Sequence, residues 1–200
     1  MARVQKHRKP IIDTAVTLFR RQGYASTGLN DIVDHSGAPK GSLYHYFPEG
    51  KVSIAVAAVE EAGRRVAETL EDLSRKTETT GDLLKAHARL LASWMKQSGF
   101  RDGCPITTVL LELAPNERLI SQAGRKAYSA RIGILREQLI ADGYTHDRAQ
   151  RLAQLCTSAL QGALIQARIE RSGEPIETAA SELAEMLESA NPKTSPTAHR

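Results

Sequence analysis

Residues 27–47 read TGLNDIVDHSGAPKGSLYHYF, and the reading of this stretch decides the fold. Leu29, Ile32 and Val33 lie three and four positions apart, so a helix over them carries a single apolar stripe. Thr27 is the expected N-cap, its hydroxyl accepting from a backbone N–H of the first turn. Gly37 stands where the chain must reverse and where positive φ is needed without steric cost. Pro39 suits the first position of a second helix, where its missing N–H costs nothing. In that helix Leu43 and Phe47 are four apart and face inward. Lys40, Ser42, Tyr44, His45 and Tyr46 are then left outward or sideways, with no carboxylate before Glu49. An exposed helix bearing a cation, hydroxyls and an imidazole suits a DNA groove: phosphate oxygens accept from all of these groups, and base edges pair with several. The spacing predicts a helix-turn-helix at about 28–47, with Thr27 and Lys51 as anchors on the nucleic-acid backbone.

The charge of the chain gathers around the same stretch. Residues 1–51 hold eight Lys/Arg and four Asp/Glu, while the rest of the chain holds nineteen of each. The whole net charge of +4 therefore lies in the N-terminal quarter. A basic head on an electrically balanced body is what a polyanion binder carries. The apolar and charged fractions, 41% and 25%, belong to the globular class, and scarce aromatics (4%) among aliphatics at helical spacing indicate an all-α chain. The basic start MARVQKHRKP leads into no unbroken apolar stretch, and no apolar run approaches the ~20 residues that span a bilayer. A cytoplasmic protein without membrane contact is expected. Cys104 and Cys156 are expected as reduced thiols, and the six histidines form no ligand spacing, so neither metal nor cofactor is expected.

Working outward, residues 1–9 read as a flexible basic arm, and Ile11, Ile12, Ala15, Val16, Leu18 and Phe19 as an amphipathic helix from Pro10 to about Gln22, stopped by Gly23. A helix from Lys51 keeps apolar spacing for about six turns and is the natural lever between head and body. Further helices are predicted over 82–97, over ITTVLLELA behind Cys104-Pro105, and over 117–141, 147–171 and 176–187. The last two are more apolar than one-sided burial requires, which predicts pairing with their copies in a twofold dimer. The expected organisation is a DNA-binding head over 1–51, a helical body over 52–190, and a disordered tail over 191–200.

These residues together resemble the DNA-binding domain of the TetR family of bacterial transcriptional repressors. The resemblance is carried by Ala15, Leu18-Phe19, Gly23-Tyr24, Thr27, Asp31-Ile32, Gly37, Lys40-Gly41-Ser42-Leu43-Tyr44-His45-Tyr46-Phe47 and Lys51. The extra residue in Phe47-Pro48-Glu49-Gly50-Lys51, with Gly103-Cys104-Pro105 and Leu111-Glu112, is similar to the drug- and flavonoid-responsive branch. Gly28, Val33 and Pro39 depart from the commoner Ser or Thr, Ala and Ser, which removes one phosphate contact and alters the start of the second helix. The resemblance implies a three-helix head joined by a long helix to a ligand-binding and dimerisation domain. It implies a homodimer on a palindromic operator, released by a small hydrophobic or aromatic effector. Trp94, Phe100, Cys104, Tyr128, Gln161 and Arg168 are the bulky or polar residues that could line an effector pocket, with packing as the competing role for each. Two other readings stand beside the repressor: a DNA-binding protein without a ligand, and an all-α enzyme. Against the enzyme, the sequence has no nucleophile–base pair, no Gly-rich phosphate loop and no paired carboxylates at a working spacing.

Overall fold

The computed structural model describes residues 6–191 and is all-helical over them. The elements are α1 (Arg8–Gln22), α2 (Leu29–Ser36), α3 (Lys40–Tyr46), α4 (Lys51–Ser74), α5 (Thr80–Gln97), α6 (Pro105–Leu113), α7 (Arg118–Ala141), α8 (His146–Glu170) and α9 (Glu174–Ser189). The chain divides into two compact units. The first runs to Arg65 and resumes over Asp102–Tyr128; the second takes Val66–Arg101 and the chain from Ser129 on. The expected boundary after residue 51 thus falls inside the first unit, which also recruits α6 and the beginning of α7.

In the first unit, Ile11, Ala15 and Phe19 of α1 meet Ile32 of α2, Leu43 of α3 and Ile54 and Ala58 of α4 in one buried cluster. Ile106 and Val109 of α6 and Ile120 of α7 belong to the same cluster. Gly63 of α4 lies so close to Ala127 that an added Cβ would stand 2.7 Å from the alanine methyl, which fixes a tight helix contact there. Two local expectations shift. The first helix begins at Arg8, so Arg8 and Lys9 leave the expected arm: Lys9 pairs with Asp13 at 2.6 Å one turn on, and the Arg8 guanidinium lies 5.5 Å from the centre of the Phe47 ring. Of the rest of the arm, residues 1–5 lie outside the described residues, as does the tail from 192. Pro39 is the N-cap of α3 rather than its first residue. Gly37 takes the left-handed conformation, φ +64°, that the turn requires.

The second unit is built on α5 and α9, whose long contact is made possible by small residues at both ends. A Cβ on Gly81 would lie 3.1 Å from the Ala184 methyl, and one on Gly173 would lie 2.8 Å from that of Ala92. Leu83, Leu84 and Ala88 of α5 pack with Ile176, Ala180, Leu183 and Leu187 of α9 and with Leu152, Cys156 and Leu160 of α8. The Tyr144 hydroxyl donates to the Leu187 carbonyl, and the Thr80 N–H donates to Asp142 at 2.9 Å. The aliphatic face of α9 is covered inside the unit, chiefly by α5 and also by α8. Among the described residues of this unit, the exposed large aliphatics lie on α8: Leu155, Ile165 and Ile169 are exposed while Cys156, Leu160, Ala163 and Ala167 are buried.

Candidate nucleic-acid interface

The second helix of the turn motif presents its side chains as its spacing dictates. Leu43 and Phe47 are buried and lock α3 to the head core. Lys40, Tyr44 and His45 are exposed, Tyr44 with half of its surface open. Ser42 and Tyr46 are half-buried, and the His45 and Tyr46 rings meet edge to face at 5.1 Å between centroids. A large exposed aromatic on a polar helix has no packing reason to be there. Its phenol, with the Lys40 ammonium one turn before it, offers donors toward a negatively charged partner.

The two residues expected at the ends of the motif are placed differently. Thr27 is fully buried; its hydroxyl donates back to the Gly23 carbonyl at 2.7 Å and its N–H to the Tyr24 carbonyl at 3.1 Å. Gly28 is the N-cap of α2 instead, with its own N–H donating to the Asp31 carboxylate at 2.8 Å. Thr27 is therefore neither the cap nor a free phosphate donor; it shapes the turn between α1 and α2. Lys51 is half-buried, its ammonium 3.3 Å from the Ala25 carbonyl and 4.1 Å from the centre of the Tyr24 ring. Burial pushes its pKa down against the pull of Glu112 and Asp31. Its charge is tied to the same turn.

That turn is also held from a direction no local pattern announces. The N–H groups of Tyr24 and Ala25 donate to the two carboxylate oxygens of Glu112, in the last turn of α6, at 2.7 and 2.6 Å. At the other end of α6 the Gly103 N–H donates to the Arg20 carbonyl at 2.8 Å. Asp102, largely buried, lies 2.8 Å from Arg20 Nε and 3.4 Å from Arg21 Nε; the Arg20 contact is an ion pair without hydrogen-bond alignment. Asp13 likewise sits between Lys9 and Arg65. Several of the head's acids are thus engaged by its own groups, while α3 carries none.

The six residues expected at an effector site do not gather in one unit. Cys104 is the N-cap of α6 and Tyr128 closes the first unit, its hydroxyl 3.0 Å from that of Thr107. Trp94, Phe100, Gln161 and Arg168 belong to the second unit. Trp94 is 44% exposed, which removes both a core role and an enclosed one, and Arg168 is exposed too. Phe100 has φ +60° and packs against the second core. Besides Thr80 at the start of α5, three other polar residues are buried among the described residues of the second unit. His87 of α5 is 3% exposed, its pKa driven down to about 3 by burial and by the Arg131 cation. Arg131 of α7 is itself buried, and the buried Thr157 hydroxyl of α8 has no hydrogen-bond partner among the described residues. Reading His87 as part of an apolar stripe hid the first of these, and the other two carry no local signal. Cys156 is fully buried, and burial lifts its thiol to about 11, which makes it inert. Among the described residues no group of side chains could hold a metal ion, and no helix is long and apolar enough to cross a membrane.

A basic-headed helical chain presenting an acid-free second helix behind a left-handed glycine turn is a helix-turn-helix DNA-binding regulator in class. The chain belongs to the TetR family of bacterial regulatory proteins: that family's signature matches residues 11–58, and residues 81–182 match the C-terminal domain of LmrA/YxaF-like transcriptional regulators. An HTH-type transcriptional regulator of Mycobacterium tuberculosis is 34% identical over 189 residues, covering 92% of this chain and 95% of that protein. The HTH-type regulator LmrA of Bacillus subtilis is 27% identical over 169 residues, 84% of this chain and 90% of its own. The crystal structure of reduced Escherichia coli NemR superposes with a TM-score of 0.74 at 26% identity over 88% of this chain and 94% of NemR. These relatives are regulators of transcription, not enzymes.

Proposed function

We propose that the protein is a repressor that binds a palindromic operator as a homodimer and is released by a small, mainly hydrophobic effector held in the second unit. The observation that carries it is α3, with Leu43 and Phe47 sunk in the head and Lys40, Tyr44 and His45 left to a partner. Repression is the function in the name of NemR, a relative 26% identical over 178 residues. The dimer is supported by the exposed Leu155, Ile165 and Ile169 along α8, a stripe that water does not favour and a twofold copy would cover. Ligand pockets are mostly apolar with a few polar groups, and the second unit buries Thr80, His87, Arg131 and Thr157. Its place of action is the bacterial cytoplasm, where the operator lies.

Selection of duplexes from a random pool, followed by retardation at two salt concentrations, tests the reading. Enrichment of a sequence with two inverted half-sites about one helical turn apart or more, with affinity falling steeply with salt, is expected. A protein that enriches nothing, or that retains all duplexes alike, is not the sequence reader proposed.

A further inference from the structure

Between Gly23 and Gly28 the chain leaves α1 and must enter α2 at the angle that carries α3 with it. The turn's N–H groups at Tyr24 and Ala25 are accepted by a carboxylate 88 and 87 residues away, on α6. We propose that Glu112 is a positioning residue for DNA recognition, fixing through these two bonds the turn from which the helix-turn-helix starts. The proposal rests on the DNA-binding reading above.

Gly23 shows how closely the carboxylate seats. Its φ is +86°, and an added Cβ would stand 2.7 Å from Glu112 Oε1, so the same glycine that ends α1 also makes room for the acid. Below the turn, the Thr27 hydroxyl and N–H bind back to Gly23 and Tyr24, and Gln22 Nε2 donates to the Ser26 carbonyl at 3.0 Å. From α4, the Lys51 ammonium reaches Ala25 and the Tyr24 ring. The turn is therefore gripped between the first residue of α4 and the last turn of α6. α6 is itself fixed to α1 by Ile106 and Val109 in the shared core and by Asp102 and Gly103 on Arg20. Glu112 is exposed, and a charge pair there would be worth little in water. Two directed bonds from peptide N–H groups to an ionised carboxylate are worth more and fix an orientation as well. What they orient is α2, through Thr27 and Gly28, and hence α3.

The test compares the full-length protein with Glu112→Ala and Glu112→Gln. The first readout is amide hydrogen exchange. Tyr24 and Ala25 should exchange at least about tenfold faster in E112A, a factor equivalent to ~1.4 kcal/mol, while amides in the middle of α1 keep their rates. In E112Q, whose amide has one accepting oxygen, one of the two should stay protected. The second readout is affinity for a duplex enriched by the wild-type protein, against a scrambled duplex at low salt. E112A should lose about tenfold on the enriched duplex and nothing on the scrambled one, with the protein still folded and with E112Q in between. A merely structural role would lower the melting temperature and both affinities together, and that result overturns the proposal. Unchanged exchange, or an unchanged ratio of the two affinities, overturns it as well. If the wild-type protein enriches no duplex, the DNA-binding reading falls and takes this role with it.

Discussion

Both units bury large aliphatics and cross helices closely over small residues, but they use their polar groups differently. The first closes on large side chains, with Ile11, Phe19, Ile32, Leu43 and Ile54 fully buried, and spends its polar groups on holding turns and helix ends. The second brings α5 and α9 together over Gly81, Ala184, Ala92 and Gly173, and buries His87, Arg131 and Thr157 inside. The head can tolerate changes on its outer face because its core lies behind α3. The body brings α5 and α9 into close contact and keeps polar groups buried behind them. For the repressor proposed above, a coupling of ~1–3 kcal/mol between ligand and DNA is enough.

Substitutions can sharpen or break this contrast. Leu43→Ala empties a fully buried site beneath α3 and should cost about 2–5 kcal/mol of stability in chemical denaturation, with DNA binding lost alongside. If Leu43→Ala costs under about 1 kcal/mol, α3 is not anchored as described. Gly173→Ala keeps an ordinary φ yet drives a methyl to 2.8 Å from Ala92, and should cost about 1–3 kcal/mol, read as a lower melting temperature. A neutral result would show that α5 and α9 have room to part.

His87 gives the body an acid sensitivity in the histidine range. Its folded pKa, about 3, lies below the ordinary 6.5, so between these values the unfolded chain binds a proton that the folded chain refuses. Stability from this group is whole above about pH 6.5 and falls as the pH drops toward 3, by up to ~1.4 kcal/mol per pH unit. His87→Leu should flatten that limb of the stability–pH curve; an unaltered slope would mean that the imidazole is solvated. On the surface of α8, Ile165→Glu should change folding stability by no more than about 0.5 kcal/mol while shifting a dimer to monomer on a sizing column. A surviving dimer would place the interface elsewhere.

Much of the head was legible because its signals are local. Gly37, the Leu43–Phe47 spacing and the acid-free second helix sit within one short stretch, and each does in the fold what its chemistry suggests. Thr27 misled because a hydroxyl ahead of a helix can cap the helix or tie the preceding turn, and here the Gly23 carbonyl lies nearer to hand. Glu112 and Asp102 were beyond reach for another reason: their partners lie more than eighty residues away, and no periodicity records such a pairing. In the body, periodicity named the apolar faces of α8 and α9 but could not say that α5 covers α9, nor that Trp94 stays at the surface. Helix faces are local; their partners are not.

The central claim is that α3 reads DNA with its exposed residues, and Tyr44→Ala tests it most directly. The side chain is half exposed and makes no core contact that its loss would empty. Affinity of the wild-type and Tyr44→Ala proteins for the same enriched duplex should be measured beside their melting temperatures. The account predicts at least about a tenfold loss of affinity, roughly 1.4 kcal/mol, with the melting temperature unchanged. Equal affinity in a folded Tyr44→Ala protein would contradict it and take α3 out of the interface.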